Sequence, residues 1–155
     1  MDDAVARSLA RWPNVPAVYG WLELDRRGNW RIKGERIGNA ALRDFIARNY
    51  EADSQGRWYF QNGPQRVYVT LAYTPFVMHY EGDALFDHCG TPVQAIEIYL
   101  DDEGSVLIVG QRGIGVLDDR DLARYTERGE DLPRLERAGI AARFGFVPKP
   151  ADSLR

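Results

Sequence analysis

The chain repeats a local pattern at one fixed offset, and this repeat limits the possible folds more than any other feature. Residues 28–45 read Gly-Asn-Trp-Arg-Ile-Lys-Gly-Glu-Arg before a helical run with Leu42 and Phe45. Residues 104–125 read Gly-Ser-Val-Leu-Ile-Val-Gly-Gln-Arg before a second run with Leu122 and Tyr125. Gly28, Trp30, Ile32, Gly34 and Arg36 fall on Gly104, Val106, Ile108, Gly110 and Arg112. This spacing implies two units of one strand–turn–strand–helix design, over about residues 18–50 and 95–127. No linker is long enough to part them, so the expected fold is one α+β domain over residues 1–155, internally duplicated, with a mainly antiparallel sheet.

Patterning along the chain fills in this outline. Val5, Leu9 and Trp12 recur at helical spacing, and Pro13 and Pro16 end that segment. Val18, Leu22 and Leu24 alternate with Tyr19, Trp21 and Glu23 as on a strand. Asp-x-x-Gly turns stand at Asp25–Gly28, Asp53–Gly56 and Asp101–Gly104. Asn39 is placed to cap a helix reaching about Tyr50, with Leu42, Phe45, Ile46 and Tyr50 on its buried face. Asp44 and Arg48 are spaced for an exposed pair on that helix. Asn62-Gly63 marks a hairpin. The stretch 81–92 reads as loop, and Val106 to Val109 as a central strand. Asp118 or Asp119 caps a second main helix that Gly129 stops, Asp131 caps a short helical turn, and Phe144 to Val147 could add a last strand.

Composition narrows the function classes. A net charge of −3 does not give the broad basic field that non-specific nucleic-acid binding requires, so no nucleic-acid partner is expected. The basic residues are nearly all Arg, Lys33 and Lys149 excepted. Cys89 is the only cysteine, which precludes an internal disulfide and suits a reducing compartment. No apolar run is long enough for a signal peptide or a membrane span, so a cytoplasmic protein without membrane contact is expected.

Two segments could carry chemistry. His79 to Cys89 gathers both histidines, the thiol, Glu81, Asp83 and Asp87. Imidazole, thiolate and carboxylate are metal-binding groups, making His79, Asp83 and His88 candidate ligands, although their spacing matches no established motif. His88 and Cys89 are the candidate catalytic pair, provided that a loop turns two adjacent side chains together. The second segment is the hairpin 57–68. There Trp58, Gln61, Arg66 and Tyr68 offer aromatic surface beside a guanidinium, suited to a small anionic ligand. The glycine-rich segments Gly34–Asn39 and Gly110–Gly115 are weaker anion seats that match neither the P-loop nor the dinucleotide fingerprint. No serine lies in a nucleophile elbow.

At Gly20-Trp-Leu-Glu-Leu-Asp-Arg-Arg-Gly-Asn-Trp30 and Gly56-Arg-Trp-Tyr-Phe-Gln-Asn-Gly-Pro-Gln-Arg-Val-Tyr-Val69 the chain resembles a family of small proteobacterial proteins of unknown function. Its layout is also similar to another proteobacterial family built from repeated strand and helix units, for which a signalling role has been suggested. The resemblances imply a bacterial cytosolic protein with a duplicated α+β fold, and they bring no catalytic residues. The expected function is a regulatory or signalling module that binds a small anionic ligand or a protein partner. The alternative is a small metal-dependent or Cys/His enzyme built on the His79–Cys89 loop. No particular cofactor is implied.

Overall fold

A turn formed four times over shapes the protein. At Asp25, Asp53, Asp87 and Asp101 the carboxylate Oδ1 accepts the backbone N–H groups two and four residues on, at 2.8–3.0 Å. The glycine three residues on donates to the aspartate carbonyl, and the aspartate N–H donates to the carbonyl four residues on. The fixed order Asp-x-x-Gly follows from this geometry, because a short side chain must reach the turn amides while the glycine takes a φ near +80°. Three of these turns were legible as such. The fourth, Asp87-His-Cys-Gly90, lies within the stretch read as loop.

The computed structural model describes residues 1–126 and 131–151. The first sheet holds β1 (Val18–Leu24), β2 (Trp30–Ile32), β3 (Glu35–Arg36), β4 (Tyr50–Ala52), β5 (Trp58–Asn62) and β6 (Gln65–Leu71), in the order β3-β2-β1-β6-β5-β4. The second holds β7 (Phe76–Glu81), β8 (Ala84–Asp87), β9 (Glu97–Asp101), β10 (Val106–Gly110), β11 (Gly113–Leu117) and β12 (Arg134–Leu135), in the order β12-β9-β10-β11-β7-β8. Helix α1 (Asp3–Arg11) precedes the first sheet and α2 (Ala40–Arg48) lies between β3 and β4. Helices α3 (Ala123–Thr126) and α4 (Ile140–Phe144) are short. The fold is α+β in a single domain, because one apolar cluster runs through both sheets, from Leu22, Phe60 and Val69 to Phe76, Ile108 and Val116.

Both sheets are mixed: each contains a parallel pair, β1 with β6 and β7 with β11, flanked by antiparallel partners, and the second sheet adds a parallel edge pair, β12 with β9. Outward from that pair β2 corresponds to β8, β5 to β10 and β4 to β9. The sequence repeat aligned different segments. It set β2–β3 and α2 beside β10–β11 and the helix after them. Both are antiparallel hairpins followed by helix, but β2–β3 forms an edge while β10–β11 is central.

Several local expectations change. Asn39 does cap α2, accepting the Leu42 N–H at 3.0 Å, but the helix stops at Arg48 and Tyr50 begins β4. Ile46 is buried while Leu42 remains exposed. Arg48 pairs with Asp2 rather than Asp44. Residues 84–87 form β8 where only loop was expected, because β7 supplies a free edge for them. Asp118 caps a 3-10 turn, Asp119–Asp121, ahead of the short α3. Gly129 lies outside the described residues. Arg134–Leu135 pairs with β9 in place of a helical turn after Asp131. Phe144 ends α4, and Val147 contributes only an isolated bridge to Arg57.

That bridge draws the C-terminal segment against the Asp53 turn. A Cβ at Gly56 would lie 2.0 Å from the Gly145 carbonyl oxygen, whereas a Cβ at Gly104 meets nothing within 4 Å. Both glycines have positive φ. Gly104→Ala is therefore expected to cost about 1 kcal/mol from backbone strain alone, and Gly56→Ala more than about 3 kcal/mol because backbone must also move. Equal losses on urea unfolding would contradict this packing.

Candidate functional site at the junction of the sheets

The sheets meet through aromatic rings. Tyr50 packs against Trp30, Trp58 and Phe76, with centroids 5.0, 4.8 and 5.8 Å away. Its hydroxyl donates to the Pro75 carbonyl at 2.6 Å. The imidazole of His88 enters the same group, 5.0 Å from Trp30 and 5.6 Å from Tyr50. Arg112 ties the junction from the β10–β11 turn. It lies 3.5 Å from Asp87 Oδ2, donates to the Tyr50 carbonyl at 3.5 Å, and stacks 5.0 Å over Phe76. A second tie joins the other turns: Arg26 donates to Ser105 Oγ at 2.6 Å and covers Tyr73, whose hydroxyl donates to Asp101.

Two polar crevices open beside His88. One, of about 230 Å³, is lined by Arg27, Val77, His79, Asp118 and Arg120. The other, of about 270 Å³, lies between α2 and the Asp87 turn and is lined by Arg43, Asp44, Asn29, Trp30, Cys89 and Gly90. Gly28 and His88 belong to both. Gly28 packs directly on His88 between them, which a side chain there would prevent. A Cβ at Gly28 would stand 2.8 Å from the Cβ of His88, and the φ of +81° already favours glycine.

The Asp87 turn sets the chemistry of His88 and Cys89. Asp87 Oδ1 holds the Cys89 and Thr91 amides, and His88 Nδ1 accepts the Val77 N–H at 3.1 Å. With Nδ1 occupied as an acceptor, the ring proton of the neutral imidazole sits on Nε2. Nε2 lies 3.6 Å from Cys89 Sγ, so the contact is an N–H directed at sulfur. Burial, with positive potential from Arg112 and His79, lowers the His88 pKa to about 3. Burial and the Asp87 carboxylate push the Cys89 thiol up to about 12, against an opposing effect from Arg112. The pair is thus adjacent but neutral, and the imidazole has no free lone pair with which to take the thiol proton.

Residues 1–151 match the family DUF2944, described as a protein of unknown function (DUF2946). The chain belongs to the DUF2944 family. Two solved structures share the fold of this DUF2944 protein. A DUF1285 family protein from Silicibacter pomeroyi DSS-3 is 15% identical, with 82% of this chain and 84% of that chain covered and a TM-score of 0.55. A DUF1285 family protein from Shewanella baltica OS155 is 16% identical, with 68% and 90% covered and a TM-score of 0.52. No curated protein matches the chain. No helix among the described residues is long and apolar enough to cross a membrane.

The other candidate residues of the DUF2944 protein separate. His79 stacks on Phe86 and lies 3.5 Å from Glu81, while Asp83 lies 3.7 Å from Arg124. Among the described residues no three His, Cys, Asp or Glu side chains converge as metal ligands, so His79, Asp83 and His88 do not form one donor set. The hairpin candidates divide between the faces of the sheet. Trp58 faces the junction, 5.1 Å from Phe76. Arg66 stacks 3.9 Å over Tyr59, and Tyr68 donates to Asp53 at 2.9 Å beneath the stacked ring of Tyr19. Gln61 is buried and donates to the Gly63 carbonyl, while its Oε1 has no partner among the described residues, at a cost of about 1–3 kcal/mol. Sequence reading placed Gly28 in a turn and Arg112 within the weak anion seat Gly110–Gly115, and it gave Arg43 no role; the unread fourth Asp-x-x-Gly was the signal for the turn that Arg112 grips.

Two consequences are measurable. Cys89 should react with iodoacetamide far more slowly than a free thiol at pH 8, in native protein; reaction at the free-thiol rate would contradict the raised pKa. The folded state also keeps His88 neutral down to about pH 3, while the unfolded imidazole protonates near 6.5. Its contribution to stability is therefore present above pH 6.5 and is lost as pH falls toward 3. His88→Gln should flatten the fall in stability between those values. An unchanged slope in urea titrations would show that another group is responsible.

Proposed function

We propose that this protein is a bacterial, cytoplasmic binding module with a regulatory or signalling role, and that it recognises a small ligand in the crevices beside His88. The observation that carries this reading is the state of the polar groups there. His88 presents an Nε2–H, Cys89 an un-ionised thiol, and Asp118 is held by both arms of Arg120 at 3.0 and 2.6 Å. His88 and Cys89 donate hydrogen bonds and Asp118 is an acceptor already paired with Arg120, so they orient a guest, and the neutral His88–Cys89 pair supplies no activated nucleophile. The hairpin residues support the reading less, because Gln61, Arg66 and Tyr68 are engaged within the protein and Trp58 lies on the opposite face. The corresponding strand orders of the two sheets favour a duplicated ancestral unit, β1–β6 and β7–β11.

The Cys/His enzyme alternative rests on the 3.6 Å contact between His88 and Cys89. The two readings separate in one experiment. A library of small metabolites is screened by thermal shift, and the hits are repeated on Cys89→Ser. Binding by the module should survive the substitution, because the serine hydroxyl replaces the thiol as donor, and should proceed without turnover of the ligand. Conversion of a hit by the native protein that ceases in Cys89→Ser would favour the enzyme.

A further inference from the structure

Arginines in this protein are nearly always engaged when they are sheltered. Arg26, Arg31, Arg57, Arg66, Arg124 and Arg137 are each half-buried, and each holds a hydrogen bond or ion pair. Arg43 is also half-buried, yet no side chain or carbonyl among the described residues accepts from its guanidinium. A sheltered guanidinium has lost part of its hydration, and with five donors in a fixed fork it is usually repaid by an oxyanion. Arg43 lines the crevice between α2 and the Asp87 turn, where no described residue fills that role.

We propose that this crevice binds a small carboxylate, with Arg43 as the clamp for its oxygens. This rests on the binding-module reading and gives that module a ligand class. The walls suit such a guest. Cys89 offers a neutral thiol rather than charge, with the uncharged His88 beside it and the buried ring of Trp30 backing the wall. Asp44 lies on the same crevice, and among the described residues no cation pairs with it. Its carboxylate opposes a multiply charged anion but accepts a donor or a cationic group on a ligand. Together Arg43 and Asp44 favour a singly charged or zwitterionic carboxylate, such as a free amino acid, over inorganic phosphate.

The test uses the full chain, with a panel of L-amino acids, simple monocarboxylates and inorganic phosphate as probes. Binding is followed in proton–nitrogen NMR spectra at the Gly90 amide and the Trp30 indole N–H. A carboxylate probe should shift both signals, and Arg43→Gln should weaken its binding at least tenfold. Asp44→Asn, an exposed change that leaves the fold intact, should improve phosphate binding severalfold. Undiminished carboxylate binding in Arg43→Gln would overturn this site while leaving the binding module in place. Phosphate bound more tightly than every carboxylate by the native protein would overturn the ligand class. Silence of all probes at millimolar concentration would overturn the proposal, and the metabolite screen then decides whether the module reading falls with it.

Discussion

An aspartate side chain that closes its own turn is the interaction on which this structure depends. Each carboxylate satisfies two backbone amides that strand pairing leaves free, and buried amides without partners are costly. Each also has a second oxygen to spend on another element. Asp25 reaches Arg31, Asp53 reaches Arg57 and Tyr68, Asp87 reaches Arg112, and Asp101 reaches Tyr73. Burial alone would raise the pKa values of Asp25 and Asp53, but the turn amides and their arginine partners hold both below the usual carboxylate range. One short motif thus sets local chain reversal and long-range attachment together.

The junction between the sheets extends this arrangement. Arg112 touches Asp87 in the second sheet and the Tyr50 carbonyl in the first, so a charged side chain spans an otherwise aromatic contact. Its positive charge, with burial, keeps His88 neutral. That neutrality makes the imidazole a fixed hydrogen-bond donor lining two crevices. The candidate site is therefore a product of packing: the turn that orders the chain also presents His88 and Cys89, and Gly28 leaves room for them.

Three of the four turns, the Asn39 cap and the central β10 strand were legible because each depends on residues close in sequence. Asp-x-x-Gly needs only its own amides, and Val106 to Val109 is apolar on both faces wherever it lies. The parallel pairs β1–β6 and β7–β11 were not legible, because nothing local distinguishes a strand's neighbour across a crossover. Tyr50 kept helical spacing with Ile46, yet it turned into β4, where its ring joins the junction. The grouping of His88 with Cys89 was visible, but their ionisation states were not, since those arise from Val77, Arg112 and Asp87 in space. Trp58, Gln61, Arg66 and Tyr68 were grouped as one ligand-binding hairpin surface. Strand alternation places Trp58 opposite the others, and the turn carboxylate of Asp53 occupies Tyr68.

The claim at the centre of this account is that the Asp87 turn and the Val77 amide fix His88 as a neutral Nε2–H donor. Long-range proton–nitrogen NMR of the imidazole rings reads this state directly. The account predicts that His88 shows an unprotonated Nδ1 and a protonated Nε2 at pH 7, and that this pattern persists well below pH 5. A ring that titrates near pH 6.5, or one protonated at Nδ1, would contradict it.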